Sequence, residues 1–535
     1  MTTPTDPTPL YVVGVYLMSL VGLGFFTRRL FQGTKGTSKD YFVAGRSIGP
    51  VLLLMSVFGT TMTAFALVGS TGKSYQFGAG VYGLMASSSA ILHSAVFFLV
   101  GIRLWAIGKR YDFLTQIQFF RARFDSVRIG YLLFPILVGL VIPYLLIGIL
   151  GAGAVLRGVT KGMFPDVFPG TVLPSGKVLF EGSVPPWLTG LVICSVVLFY
   201  IFTGGLRAAA WANAFQTVIF MITGVIAFNL IADALGGVVA ASQLTFEHAH
   251  DHIVRTKIDK LQFLSYGLVP LSVGMFPHLF QHWLTAKDAK TFRLTAVAHP
   301  IFIMVVWVPC ILIGIWAAGM NGAPDMDMAA PGGNVNAILA KMVGTLLHNP
   351  YLSGLLTAGI LAAIMSSLDS QFVCLGTMFT QDIVLQIAGP ERFSDRQKIL
   401  LGRGFIVAIV TVTYLLSLLQ PPNIFDLAVW CFSGFASLFP LIFAALFWKR
   451  VTKAGAYASI LAMVVTWSYL FYDGLIAPIQ AGVKDSGEYL VMGMMPVAVI
   501  FAASGVALVV VSLFTTPPPA ERVARFMIPS TRKLV

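Results

Sequence analysis

Long apolar runs alternate with short polar segments along the whole chain, and within each run the apolar residues occupy every side of a helix rather than one stripe. A helix crossing the roughly 30 Å hydrocarbon layer of a membrane needs about 20 such residues. Runs of that kind fall near residues 10–27, 51–72, 79–101, 130–156, 187–203, 212–234, 264–283, 295–319, 352–377, 401–419, 424–447, 455–472 and 490–514. Ten-residue segments of alternating apolar and polar residues would mark a transmembrane barrel, and the sequence has none. The pattern predicts an all-α membrane protein of about 13 transmembrane helices.

Two runs carry helix-breaking residues at mid-depth. The second reads Met-Ser-Val-Phe-Gly-Thr-Thr-Met-Thr-Ala-Phe over 55–65, with Gly59 and the threonines Thr60, Thr61 and Thr63. The seventh reads Tyr-Gly-Leu-Val-Pro-Leu-Ser-Val-Gly-Met-Phe-Pro-His over 266–278. Proline removes an intrahelical hydrogen bond and glycine permits unwinding. Backbone groups freed in lipid are tolerated where they line a cavity or ligand. The two broken runs lie five spans apart, and a repeat with an odd number of spans inverts its own topology. This predicts two inverted five-helix repeats, 51–234 and 264–447, preceded by an extra helix at 10–27. Two further helices follow within 455–514, then a tail at 515–535, all in one membrane domain. Broken helices at matching places in inverted repeats point to a transporter's binding site.

Composition agrees with the pattern: 57% of the residues are hydrophobic and 11% charged, against about 25% charged in soluble domains. The net charge of +13 would suit a polyanionic partner, but the placement of the charges gives another explanation. With the N-terminus outside, 26 of the 35 basic residues fall on the inner side, in the loops or at the inner span ends. The positive-inside rule then predicts a cytoplasmic C-terminus in a plasma or inner membrane, and no nucleic-acid partner. Cys194, Cys310, Cys374 and Cys431 all fall within predicted spans without a CxxC pair and read as buried thiols. The N-terminus lacks a basic region and a cleavage site, so no removable signal peptide is expected.

The ninth span contains Ser366, Ser367, Asp369 and Ser370 within five residues. A charge at mid-membrane costs at least about 2.5 kcal/mol, which makes Asp369 a functional candidate. Ser366 with Asp369, and Ser367 with Ser370, share helix faces by i,i+3 spacing. Hydroxyls beside unwound carbonyls are a suitable ligand set for sodium.

The segment Ala362-Ala363-Ile364-Met365-Ser366-Ser367 resembles the sodium-site helix of the sodium/solute symporter family. Gly45-Arg46-Ser47 resembles a family motif ahead of its first broken helix. Gly204-Gly205-Leu206-Arg207-Ala208 with Trp211-Ala212-Asn213 and Gln216 resembles the start of its fifth core helix, and Gln381-Asp382-Ile383 the acidic end of its eighth. The likeness runs from about residue 10 to 450, in order. It implies the LeuT-type fold, no organic cofactor, and Na+ as coupling ion. The implied sodium ligands are the main-chain oxygens of Gly59, Met62 and Ala363 and the hydroxyls of Ser366 and Ser367. Solute contacts are expected from Thr60, Thr61, Thr63, Ser272, Met275, Phe276, His278, Trp430 and Ser433. Asn213 stands where members with a second sodium site often have aspartate. That puts a second site in doubt and leaves Asp369, Asn213 and Ser370 as a candidate second ion or proton site. Phe276-Pro277-His278 is nearer the proline and pantothenate branches than the sugar branches, which favours an amino acid or carboxylate over a sugar or polyol.

A proton-coupled symporter of the same fold is the main alternative; a sensor or channel module fits less well. His278 and His282 are i,i+4 on one helix, but no second histidine pair completes a haem site. His248, His250 and His252, in an outside loop, have a composition that could hold zinc. His93 and His299 are expected to be packing histidines. No Walker, Ser-His-Asp or HExxH pattern can be placed, so no enzyme activity is expected.

Overall fold

The computed structural model describes residues 6–30, 37–172, 178–179, 182–324, 326–330, 333–419, 424–482 and 488–528. Residues 1–5 and the basic residues Lys35, Lys177, Lys484, Arg532 and Lys533 lie outside these.

Helices dominate. The spans are α1 (Thr8–Leu30), the bent pair α2 (Pro50–Thr61) and α3 (Phe65–Phe77), and α4 (Gly80–Tyr111). A short helix, α5 (Gln116–Phe124), leads into α6 (Val127–Val159) and α7 (Pro186–Ala234). The second bent pair is α8 (Lys260–Gly274) with α9 (Pro277–Thr285), followed by α10 (Ala289–Gly322) and α11 (Pro350–Ala388). α12 (Asp395–Ser417), α13 (Ile424–Phe447), α14 (Lys453–Gln480) and α15 (Pro496–Phe514) complete the set. Two-residue strands, Thr171–Val172 and Val178–Leu179, pair antiparallel between α6 and α7.

Among the described residues, ten helices are long and apolar enough to span a membrane, twelve if each bent pair counts as one, against the thirteen expected. The difference lies in α7. Its 49 residues would extend about 73 Å, over twice the hydrocarbon thickness. Gly205 interrupts its helical geometry at φ 59°, ψ −146°. A Cβ at Gly205 would meet the Tyr41 carbonyl oxygen at 2.4 Å, so only glycine fits this close approach. The two expected spans 187–203 and 212–234 meet around this break.

Both spans that the sequence marks as interrupted are bent, α2–α3 by 60° and α8–α9 by 49°. At the first, Met62 is extended (φ −87°, ψ 111°), and Thr63 then restarts the helix by accepting the Phe65 N–H on its hydroxyl at 3.0 Å. At the second, residues Val269–Gly274 tighten into a 3₁₀ turn, Phe276 is extended, and Pro277 opens α9 in the position proline favours.

α11 forms the centre. Each residue from Leu356 to Met378 is buried, polar ones included. α2, α6, α7 and α9 pack around it, whereas α12, α14 and α15 are more than two-thirds unburied over their spanning windows. The four cysteines are buried and unbonded.

Charged motifs near the span ends are paired. Arg46 donates to Gly108 O (3.0 Å), Phe113 O (3.0 Å) and Asp112 Oδ1 (3.1 Å) at the end of α4. Burial lowers the Arg46 pKa from its ordinary value and the Asp112 carboxylate opposes this. Arg207 pairs with Asp40, and Arg121 with the buried Asp382 at 2.5 Å. The loop histidines His248, His250 and His252 do not come together as a zinc site among the described residues. His252 is engaged by Asp251 (2.9 Å), Tyr75 O (2.9 Å) and Lys257, while His250 packs edge-on against Phe246. The described residues hold no group of three or more His, Cys, Asp or Glu fit for a metal ion. His93 and His299, expected as separate packing residues, face each other at 3.3 Å.

Candidate functional site

Unwinding at Met62 leaves the last carbonyls of α2 without a continuing helix, and α11 runs past them with a hydroxyl-bearing face. The Ser366 hydroxyl lies 2.8 Å from Gly59 O on α2 and 2.8 Å from Ala363 O on its own helix. Its single proton can satisfy one of these at a time. The Ser367 hydroxyl turns back to Ile364 O at 3.0 Å. Gly59, Met62, Ala363, Ser366 and Ser367 are all buried. Three of the five predicted sodium ligands therefore converge within hydrogen-bonding distance; Ser367 follows Ser366 directly, and Met62, three residues after Gly59, donates its N–H to Gly59 O at 3.2 Å. Gly59 is tightly enclosed: a Cβ there would meet Thr217 Oγ1 at 2.6 Å and Asn213 O at 3.2 Å. The absence of a side chain lets α2 approach α7.

One turn along α11, Asp369 is fully buried and gathers donors. The Tyr200 hydroxyl donates to Oδ2 at 3.0 Å and the Ser370 hydroxyl lies 3.0 Å from Oδ1. With the Asn213 amide oriented to satisfy its neighbours, its nitrogen donates to Ser366 O (2.8 Å) and to both Asp369 oxygens (3.0 Å each). Its oxygen accepts from Ser370 Oγ at 2.9 Å. The structure thus joins Asp369, Asn213 and Ser370 in one buried cluster touching the main chain of Ser366. A second polar pair, Gln216 to the Tyr16 hydroxyl at 3.3 Å, lies one helical turn further along α7 from Asn213.

The predicted solute residues divide. Phe276 and His278 join Tyr144 and Phe432 in an aromatic cluster with ring centroids 5.0–5.6 Å apart, and Phe65 contacts Phe432 at 5.2 Å. Both ring nitrogens of His278 are buried and without a hydrogen-bond partner among the described residues, as are Thr60 Oγ1 and both amide atoms of Gln371. Buried polar atoms are rarely left so, and these are available to a ligand. Thr61 and Ser433 instead bond carbonyls of their own helices, Phe58 O (2.8 Å) and Val429 O (2.6 Å). Thr63 is spent as a cap, and Ser272 supplies the carbonyl that receives Met275 N and Phe276 N. The Met275 sulfur faces Gln116, 3.5 Å away, and the Trp430 ring packs on Phe471 and Tyr489. Sequence reasoning missed Tyr144, Phe432 and Gln371. Tyr144 had a signal, as a hydroxyl-bearing ring directly after Pro143 in an otherwise apolar span.

Solved structures of the same shape are transporters. A substrate-bound, outward-open Na+-coupled sialic acid symporter superposes with a TM-score of 0.72 at 17% identity, covering 96% of this chain and 99% of that one. A nucleobase-cation-symport-1 family transporter, closed with bromovinylhydantoin bound, gives 0.52 at 14% identity over 94% of this chain and 99% of that one. At such identities the likeness shows the fold alone, the LeuT type. The sodium/proline symporter of Staphylococcus aureus (strain bovine RF122 / ET3-1) is 26% identical over 481 residues, 85% of each chain. That of strain JH9 matches over the same length. The model of the sodium:solute symporter family matches residues 41–162 and 178–462, most of the chain. With the broken helices and the serine-bearing α11 in place, the chain belongs to the sodium:solute symporter family.

Proposed function

We propose that this protein carries a small organic solute across the membrane together with sodium, by alternating access around the breaks at Met62 and Phe276. The observation that carries this reading is the approach of Ser366 Oγ to Gly59 O, 2.8 Å across two helices at an unwound turn. A hydroxyl and freed carbonyls at that point offer oxygens to a monovalent cation without burying a second charge. The sodium ligands are the carbonyls of Gly59, Met62 and Ala363 with the hydroxyls of Ser366 and Ser367. Asp369 supplies the carboxylate that position 213 lacks, and Asn213 and Ser370 orient it.

The solute lies between the unpartnered Thr60 hydroxyl and the His278 ring, against Tyr144, Phe276 and Phe432. An amino acid or small carboxylate suits this pocket, its apolar part on the rings and its anionic group toward the exposed N–H groups of the half-helices. The relatives named sodium/proline symporters support that class. The charge asymmetry of the loops supports an external N-terminus and a cytoplasmic C-terminus. Residues 51–234 and 264–447 then act as the two inverted repeats. Proton coupling is the second reading, favoured by the buried Asp369 cluster.

The test is uptake into proteoliposomes under imposed sodium or proton gradients, screened over amino acids and carboxylates. Sodium-driven uptake is expected. Uptake that requires a proton gradient and ignores sodium would sink the sodium assignment.

A further inference from the structure

His282 is absent from the site read from the sequence, yet it touches both halves of it. The residue is fully buried in α9, and its ring spans two other helices. Nδ1 lies 2.6 Å from Ser56 Oγ on α2, and Nε2 lies 2.8 Å from Ser370 Oγ on α11. Ser56 is one turn before Gly59, and Ser370 one turn beyond Ser366 and Ser367. The imidazole therefore crosses from α2 to α11 one turn from the place where Ser366 reaches Gly59 O. With the Ser370 hydroxyl donating to the Asn213 oxygen, the Nε2–H tautomer satisfies both contacts, Nε2 donating to Ser370 Oγ and Nδ1 accepting from the Ser56 hydroxyl. The third helix matters as much as the two it joins. α9 begins at Pro277, beside Phe276, and carries His278, so the ring sits on the half-helix that reaches the aromatic cluster.

We propose that His282 is a positioning residue for the coupling ion. It holds α2 and α11 at the separation at which the carbonyls and hydroxyls of the sodium site converge, and it ties that separation to α9. The inference rests on the sodium-site reading above. It explains how an ion bound between α2 and α11 is felt by the half-helix bearing the solute residues: moving α9 breaks the clamp, and filling the ion site favours it. A phenyl ring at 282 would fill the same space. The two serines would then turn back to carbonyls of their own helices, as Ser367 does toward Ile364 O. The fold would keep its packing and lose the cross-link.

Sodium alone serves as the probe. The purified full chain is titrated with sodium chloride against choline chloride at constant ionic strength, and the unfolding midpoint is followed. Stabilisation by a ligand of the native state reports its half-saturation. His282→Phe is expected to unfold near the wild-type midpoint without sodium and to need roughly tenfold more sodium for half-saturation, the effect of losing two hydrogen bonds of ordinary strength. His282→Gln, which keeps one donor and one acceptor, recovers part of the loss. Ser56→Ala raises the sodium requirement and adds nothing to His282→Phe, because both remove the same bond. A merely structural role would lower the midpoint at every sodium concentration and leave half-saturation where it was. Wild-type half-saturation in His282→Phe, with Ser366→Ala impaired, overturns the proposal and spares the sodium site. If Ser366→Ala also behaves as wild type, the sodium-site reading fails and the proposal falls with it. Should His282→Phe not fold, Ser56→Ala decides, and an unchanged sodium requirement there overturns the clamp.

Discussion

Replacing Gly59 with alanine adds one methyl group at the most enclosed point of the ion site. The new Cβ would lie 2.6 Å from Thr217 Oγ1 and 3.2 Å from Asn213 O. Carbon and oxygen settle at roughly 3.5 Å, so α2 must withdraw from α7 by up to about 0.9 Å or Thr217 must rotate. Rotation is opposed, because Thr217 Oγ1 donates to Met55 O at 3.1 Å, and the Asn213 carbonyl is fixed in its helix. Overpacking of this kind costs about 1–3 kcal/mol. Here the strain is relieved by moving the Gly59 carbonyl, which is itself a proposed ligand, so the cost falls on sodium binding. The half-saturating sodium concentration in the midpoint titration should rise roughly 5- to 150-fold. Adding Thr217→Ala removes the worst contact and should restore part of the affinity, making the pair non-additive. A Gly59→Ala protein that responds to sodium within twofold of wild type would refute the reasoning, as would a double variant whose losses simply add.

Other perturbations have equally direct readouts. Glu488→Gln leaves Lys73 buried without its carboxylate, 3.3 Å away in the native chain, and held against the rings of Phe77 and Phe425. Breaking such a pair costs about 3–5 kcal/mol, so the unfolding midpoint in detergent should drop clearly, and an unchanged midpoint contradicts this. Gly205→Ala places a Cβ 2.4 Å from Tyr41 O in a backbone region that glycine alone occupies. The yield of folded protein in the membrane should collapse, and wild-type yield would show that the break is not needed. Asp369→Asn removes the charge that Tyr200 and Ser370 face. It should weaken the sodium response while the protein still folds, and a wild-type response would reduce Asp369 to an anchor.

The breaks were legible because their causes are local: Gly59, Pro270 and Pro277 are visible as single letters, and each acts on its own turn. The serines of α11 were legible for a related reason, since several hydroxyls and an acid inside an apolar run need an explanation. What one helix does to another was not. In the sequence His282 stands out only as a histidine four residues from His278. Its actual partners, Ser56 and Ser370, lie 226 and 88 residues away and are set by how α2, α9 and α11 meet. The same holds for His93 with His299, and for Trp430, whose ring is drawn to Phe471 and Tyr489 instead of the break. The count of thirteen turns on α7, where the backbone breaks at Gly205 and the two expected spans join with no loop between them.

The central claim is that sodium binds where Ser366 and Ser367 on α11 meet the unwound end of α2. Equilibrium binding of radiolabelled sodium to the purified chain, wild type against the Ser366→Ala, Ser367→Ala double variant, tests it most directly. Saturable binding to the wild type, lost or weakened at least tenfold in a double variant that still folds, is the predicted result; equal binding by both proteins would contradict it.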